Sequence, residues 1–180
     1  MQQDLGAARI ARLTARIRDV PDFPIPGIIF KDITPILQHP QDLRDAIEAL
    51  STLFDPSQFD VVVGLESRGF IFGAPVAYVL HKSFVPVRKL GKLPAEKISV
   101  EYSLEYGSHT LEMHRDSIEP GQRALIVDDL LATGGTCRAA MTLVEQLGGT
   151  ITGAAFLVEL GFLNGRERLS GYEARSLLHL

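Results

Sequence analysis

The chain has 180 residues, of which 46% are hydrophobic, and its formal net charge at pH 7 is −4. This length suits one domain, and an acidic chain lacks the basic face of a general nucleic-acid-binding protein. The single cysteine excludes an internal disulfide and a cysteine-based zinc site, and no apolar stretch is long enough to span a membrane. Because the first residues also lack the pattern of a signal peptide, we expect a soluble cytoplasmic protein.

The first part of the chain predicts two helices with a break between them. Apolar residues recur at helical spacing over 10–20, with arginines between them, which is typical of an amphipathic helix. Residues 21–27 contain three prolines and a glycine, so the helix cannot continue through them. Apolar residues over 43–54 again have helical spacing and predict a second helix.

The rest of the chain predicts alternating strands and helices. Strands are predicted at 61–64, 85–88, 124–127 and 154–158, and helices at 71–81 and 136–147. Residues 89–110 are polar, contain glycine and have no strong period, so we expect a loop there. Strands that alternate with helices indicate an α/β fold with a central, mostly parallel sheet flanked by helices.

A phosphate-binding loop is indicated after the strand at 124–127. Residues 133–136 read Thr-Gly-Gly-Thr and open a helix. Glycine lets the backbone approach an anion closely, and the free N–H groups of a helix start favour negative charge. A Walker A loop is excluded because Gly135 is followed by Thr136 and not by lysine.

Two adjacent acids, Asp128 and Asp129, lie between that strand and the loop. Open α/β sheets bind their ligands at this carboxyl edge of the strands. Acids beside a phosphate loop indicate a ligand with hydroxyl groups, a bound metal or both. A sugar phosphate therefore fits better than a nucleoside triphosphate.

Three further segments carry candidate functional residues. The turn 66–69 directly follows the strand at 61–64, and its Arg68 is suited to clamp phosphate oxygens, unless it is simply a solvated surface residue. The stretch 88–97 is rich in Arg and Lys and is either an ordinary solvated loop or the edge of a mobile lid that faces an anion. In the segment 103–107, Glu105 is a candidate acid or base if the loop closes over a crevice.

Several of these segments together resemble the adenine phosphoribosyltransferases, a family of type I phosphoribosyltransferases. Residues 127–136 resemble the signature that binds phosphoribosyl pyrophosphate (PRPP), and residues 21–33 are similar to the family's N-terminal hood. Residues 64–70 resemble its pyrophosphate loop, and residues 88–94 and 102–107 its catalytic loop. The resemblance extends from about residue 8 to about residue 170 and implies a single phosphoribosyltransferase domain over 1–180. Its hood would lie mainly at about 1–35 and its mobile catalytic loop at about 89–110.

The resemblance implies magnesium-dependent transfer of a phosphoribosyl group from PRPP to adenine, giving AMP and pyrophosphate, by a homodimer without nucleic-acid or membrane partners. It implies that Glu105, Tyr106 and Arg68 are catalytic. It assigns the phosphate and ribose of PRPP to Asp128, Asp129, Ala132, Thr133, Gly134, Gly135 and Thr136. It assigns pyrophosphate to Glu66, Ser67, Arg68, Gly69, Arg88 and Lys92, and adenine to Ile29, Phe30, Lys31 and Leu131. Magnesium is expected to be held mainly by PRPP and water, with no direct protein ligand.

Three alternatives stay open at this point. A phosphoribosyltransferase for another base would share the signature, but the short hood and the 103–107 segment favour adenine. A PRPP-binding regulator without activity would need an output module, and none is evident in the sequence. An unrelated sugar-phosphate-binding protein would leave the matches at 21–33 and 102–107 unexplained.

Overall fold

A computed structural model describes the backbone of residues 2–104 and 107–180 and the side chains of residues 6–102 and 109–180. The chain divides into two compact units, residues 1–49 and residues 50–180. The elements of the first unit are α1 (Gln2–Arg16), β1 (Arg18–Pro21), β2 (Ile29–Asp32), α2 (Thr34–Gln38) and most of α3 (Pro40–Ser51). The strands β1 and β2 form an antiparallel pair.

The helix predicted over 10–20 is present, but its predicted C-terminal end is wrong. Helix α1 ends at Arg16, and Val20 lies in β1, where it pairs with Phe30. The residue before a proline is pushed towards extended backbone, and Pro21 places Val20 in that position. The arginines of α1 are not solvated as a group, because Arg12 and Arg16 donate to the buried Asp42 of α3 at 2.7 and 2.8 Å.

The second unit is built on a seven-stranded sheet, which confirms the predicted α/β class. Its strands are β3 (Val61–Leu65), β4 (Ser83–Lys89), β5 (Lys97–Leu104), β6 (Gly107–His114), β7 (Arg123–Leu131), β8 (Thr150–Glu159) and β9 (Ala174–His179). The sheet order is β5-β6-β4-β3-β7-β8-β9. The five strands from β4 to β9 in that order are parallel, whereas β6 runs antiparallel to both β4 and β5.

Helices α4 (Arg68–Val79) and α5 (Gly135–Gln146) connect strands of this sheet. Both agree with the predicted helices within a few residues. The apolar positions of β3 are fully buried, and the core includes side chains of β7, β8 and α5. Cys137 belongs to this core, and burial raises the pKa of its thiol, as expected of a packing residue. Over the described residues, the structure contains no helix with the length and apolar character that crossing a bilayer requires.

The segment predicted as a loop at 89–110 is largely a β-hairpin. Strands β5 and β6 pair from Lys97 with His114 to Leu104 with Gly107. The apolar residues Ile98, Val100 and Tyr102 alternate along β5 and pack against the core. This alternation was the missed signal, because a period of two is the pattern of a half-buried strand.

Candidate functional site

The candidate site lies at the carboxyl edge of the parallel strands in the second unit. The strands β3, β4, β7 and β8 are consecutive or neighbouring in the sheet and point the same way. Their ends therefore carry the turn 66–67, Arg88, the loop 132–134 and the segment after Glu159 to one edge. Three of these four segments contain residues that the sequence assigned to PRPP.

The loop after β7 has the geometry of an anion-binding helix start. Gly134 adopts a left-handed conformation, with φ of 79°, and α5 begins at Gly135. A helix start leaves its first N–H groups without partners inside the helix, and the helix dipole adds partial positive charge there. The loop from Ala132 to Thr136 can therefore present backbone N–H groups to a phosphate.

A short 3-10 helix, Gly165–Leu169, packs directly against this loop. A Cβ at Gly134 would lie 2.3 Å from the carbonyl oxygen of Gly165, and one at Gly165 would lie 2.2 Å from that of Ala132. Both positions therefore require glycine. This neighbour was not predicted, because the pairing of β8 with β7, which places Glu159 beside Leu131, brings the segment after β8 to the loop.

The two acids Asp128 and Asp129 lie inside β7, which continues to Leu131 and not, as predicted, only to residue 127. Asp129 is only 5% exposed, and its N–H donates to Oδ1 of Asp128 at 2.9 Å. Burial raises the pKa of Asp128 well above its ordinary range, and the charge of Asp129 raises it further. Burial also raises the pKa of Asp129, although Arg68 opposes the shift.

Arg68 forms an ion pair with one of these acids. Its Nε lies 2.7 Å from Oδ2 of Asp129, so the start of α4 and the end of β7 meet through opposite charges. Gly69 allows this approach, because a Cβ there would lie 2.5 Å from Oδ1 of Asp128 and 3.2 Å from the carbonyl oxygen of Val127. The structure thus brings together two residues that were assigned to pyrophosphate, Arg68 and Gly69, and two that were assigned to the ribose and phosphate, Asp128 and Asp129.

Glu66 binds Arg88, another of the cations that were predicted to bind pyrophosphate. Its carboxylate accepts hydrogen bonds from Arg88 Nε at 3.1 Å and from the N–H of Lys89 at 3.0 Å. Burial alone would raise the pKa of Glu66, but these hydrogen bonds outweigh it and hold the pKa below its usual range. Glu66 is therefore an anion that orients Arg88, whose Nη1 also donates to the carbonyl oxygen of Lys92. The peptide bond between Glu66 and Ser67 is cis.

Tyr102 joins the hairpin β5–β6 to the phosphate loop. Its hydroxyl lies 3.1 Å from Oγ1 of Thr136, with either atom as donor. The sequence analysis did not select Tyr102, although its place on the apolar face of β5 could have indicated it. The predicted catalytic residues Glu105 and Tyr106 follow three and four positions later and lie outside the described residues.

The residues predicted to bind adenine are distributed over both units. In the first unit, Ile29 is 55% exposed, the ring of Phe30 packs edge-on against Phe23 at 5.2 Å, and Lys31 forms an ion pair with Asp19 at 2.6 Å. In the second unit, Leu131 is buried in the core. Their assignment to adenine stays a prediction.

The donor set of the edge suits magnesium held by a substrate. Within the described ranges, no group of three or more His, Cys, Asp or Glu side chains is placed to enclose a metal. Magnesium keeps several waters and commonly binds through one or two carboxylates together with substrate phosphates. Asp128 and Asp129 supply carboxylates of that kind beside the phosphate loop.

Taken together, the edge offers an anion-binding loop, the half-buried Asp128, the buried Asp129 and two oriented arginines. The loop fits a terminal phosphate, and the acids fit sugar hydroxyl groups or a positive charge that develops on the sugar. Arg68 and Arg88 fit a second, more highly charged anion. Such a set can support the departure of an anionic leaving group from a sugar phosphate.

The comparisons with known families and curated proteins agree with this geometry. The family model described as "Phosphoribosyl transferase domain" matches residues 32–175. The adenine phosphoribosyltransferase of Thermobifida fusca is 58% identical over 161 residues, which cover 89% of this chain and 92% of that protein. The adenine phosphoribosyltransferase of Acetivibrio thermocellus is 58% identical over 167 residues, which cover 92% and 98% of the two chains.

Solved structures of the same family superpose on this chain. The adenine phosphoribosyltransferase of Thermoanaerobacter pseudethanolicus aligns with a TM-score of 0.93 and 51% identity, covering 95% of this chain and 99% of that one. The Saccharomyces cerevisiae enzyme, solved with adenine and an imino-altritol bisphosphate, aligns with a TM-score of 0.90 and 40% identity, covering 96% and 99%.

Proposed function

The chain belongs to the adenine phosphoribosyltransferase family, and from that premise we propose that it transfers a phosphoribosyl group from PRPP to adenine, giving AMP and pyrophosphate. The observation that carries this proposal is the ion pair between Arg68 and Asp129 at 2.7 Å, beside the loop 132–136. It supports a site in which Arg68 binds pyrophosphate and Asp129 binds the sugar, so that the bond between the two parts of PRPP would break close to both residues.

In the proposed reaction, N9 of adenine bonds to C1 of the ribose as the bond from C1 to pyrophosphate breaks. The electron pair of that bond leaves with pyrophosphate, so positive charge develops on the sugar and negative charge on the leaving group. Asp128 and Asp129 accept hydrogen bonds from the sugar hydroxyl groups and favour the positive ring. Arg68, and Arg88 as oriented by Glu66, favour the departing anion.

The phosphate loop supplies binding energy away from the reacting atoms. Backbone N–H groups from Ala132 to Thr136, and the hydroxyl groups of Thr133 and Thr136, hold the 5-phosphate in this proposal. Such remote contacts fix the position of C1 relative to adenine and so lower the entropic part of the barrier. Asp128 and Asp129 would lie near a magnesium ion bound with PRPP, which would supply Lewis-acid neutralisation of the pyrophosphate charge.

Proton transfer is assigned to Glu105, which stays a prediction from the resemblance. As a carboxylate it accepts a proton from adenine N7 in the forward direction, and as an acid it returns the proton in the reverse direction. Tyr106 is proposed to position the same loop, and loop closure excludes water from the reactive sugar. The assignment of adenine to Ile29, Phe30, Lys31 and Leu131 stays a prediction from the resemblance.

A homodimer is part of the proposal, and the surface of α4 supports it. Ile71, Ala74, Tyr78 and Val79 are exposed at helical spacing, and Tyr78 is 83% exposed. These positions form one apolar face of the helix, which a second copy of the chain would cover. The predicted cytoplasmic location and the absence of nucleic-acid partners stay predictions from the sequence.

The proposed activity is tested by incubating the purified chain with PRPP, magnesium and adenine and measuring AMP and pyrophosphate. We expect the two products in equal amounts, and no AMP after magnesium is chelated. PRPP binding without any product would instead favour the regulator considered from the sequence. If the chain neither bound PRPP nor formed product, the proposal would be overturned.

A further inference from the structure

A cation that the sequence analysis did not select lies beside the phosphate loop. Arg168 belongs to the 3-10 helix Gly165–Leu169, whose first and last residues are buried. Its Nη1 lies 3.2 Å from the position that a Cβ would take at Gly135, where α5 begins. Its Cβ lies 3.2 Å from the corresponding position at Gly134. The whole side chain therefore runs along the two glycines of the loop.

Arg166 and Arg168, the two arginines of this helix, differ in their hydrogen bonds. Arg166 donates to both carboxylate oxygens of Glu159, at 2.6 and 2.7 Å, and to the carbonyl oxygen of Ala174 at 2.6 Å. Within the part of the chain that the structure describes, Arg168 has no such partner, and the residue is exposed. Arg166 thus fastens the segment to the end of β8, whereas Arg168 keeps its five donors available.

An aromatic ring also lies beside the same glycine. The Cβ position at Gly135 lies 3.4 Å from Cδ2 of Tyr102, whose hydroxyl is bonded to Thr136. Tyr102 and Arg168 therefore both border the start of α5. A guanidinium at this position adds a full positive charge to the partial charges of the N–H groups, and its planar donors match phosphate oxygens.

We propose that Arg168 is a further substrate-binding residue, which contacts the 5-phosphate of PRPP and of AMP from outside the loop. This inference rests on the proposed function, since it takes the loop 132–136 as the 5-phosphate site. It adds a side-chain cation to a site that otherwise uses backbone N–H groups and threonine hydroxyl groups. Because pyrophosphate lacks the 5-phosphate, its binding does not involve Arg168.

The test compares Arg168→Gln, Arg168→Lys and the wild type by isothermal titration calorimetry with AMP, with PRPP plus magnesium and with pyrophosphate plus magnesium. Arg115→Gln is the matched control, because Arg115 is also exposed and its loss changes the net charge equally. For Arg168→Gln we expect Kd for AMP and PRPP to rise about tenfold, as for the loss of one charge-assisted hydrogen bond. Kd for pyrophosphate and the Tm should stay as in the wild type, and Arg168→Lys should recover part of the affinity.

Two results would overturn the role of Arg168. One is wild-type affinity of Arg168→Gln for AMP and PRPP. The other is an equal loss for pyrophosphate, which would mean a general change in structure or charge. If the wild type itself bound neither AMP nor PRPP, the proposed function would fail and this inference with it, so the two failures are distinguishable.

Discussion

Arg68, at the start of α4, and Asp129, near the end of β7, form an ion pair with 2.7 Å between Nε and Oδ2. Arg68 opens α4 after the turn 66–67, and Asp129 lies in β7 before the loop 132–136. Under the proposed function, we predict that substrate binding redistributes this interaction, with pyrophosphate oxygens near Arg68 and sugar hydroxyl groups near Asp129.

Asp129→Asn keeps the shape of the side chain and removes its charge. We expect kcat/KM for PRPP to fall on the order of a hundredfold or more, because in the proposed reaction the acid favours positive charge on the sugar in the transition state. The Tm should fall little, because burial already disfavours the charged form of Asp129, whose pKa it raises. Steady-state kinetics and thermal unfolding measure the two effects, with the exposed Asp116→Asn as control. Unchanged turnover in Asp129→Asn would contradict the role.

The raised pKa of Asp128 predicts a particular dependence of stability on pH. A carboxyl group whose pKa is higher in the folded state binds more protons there than in the unfolded state. Its contribution to the free energy of unfolding therefore decreases as pH rises from the ordinary pKa, 3.8, through the raised one. Urea unfolding measured as pH rises above 3.8 should show a smaller decrease in the free energy of unfolding for Asp128→Asn than for the wild type. Parallel curves for the two proteins would show that the pKa is not raised.

Glu66→Gln tests whether Glu66 acts through Arg88. The amide cannot hold the guanidinium as a carboxylate does, so we expect KM for PRPP to rise about tenfold, while adenine KM changes little. Asp60→Asn is the matched control, because Asp60 forms a comparable ion pair with Arg123 at 2.7 Å on an exposed surface. A double-mutant cycle with Arg88→Gln should show that the two effects are not additive. Full additivity would mean that Glu66 and Arg88 act independently.

Site residues could be predicted from the sequence where the pattern that indicates them lies in neighbouring positions of the chain. The loop 132–136, the acids and Arg68 are adjacent to strand ends in the chain, so local pattern and the resemblance were enough to select them. The hairpin of β5 and β6 was readable in principle, since Ile98, Val100 and Tyr102 alternate. Its charged and polar residues obscured that period.

Other features depend on contacts between distant segments, and no local pattern contains them. Asp42 reads as an ordinary polar position of a helix, yet it is 2% exposed and bonded to arginines of α1. Arg168 lies 33 positions after Gly135 in the sequence, and the parallel pairing of β8 with β7 brings the segment after β8 to the loop. The contacts of such residues can be identified only from the tertiary structure.

Glu105→Gln tests the predicted proton transfer. We expect kcat to fall by about a hundredfold to ten-thousandfold, the usual range for loss of a general acid or base, with PRPP affinity close to that of the wild type. Glu101→Gln is a suitable control, because Glu101 is an exposed residue of β5 and lies four positions before Glu105 in the sequence. Wild-type turnover in Glu105→Gln would eliminate the assignment, and a matching loss of PRPP affinity would show that Glu105 acts in binding.

The preference for adenine is tested by comparing kcat/KM for adenine, hypoxanthine and guanine, each with saturating PRPP and magnesium. We expect AMP from adenine and little or no product from the other two bases. A base site that pairs with the amino group of adenine leaves buried groups unpaired with an oxo base, which weakens the wrong complex strongly. Efficient formation of a nucleotide from hypoxanthine or guanine would contradict the assignment to adenine while leaving the phosphoribosyl chemistry intact.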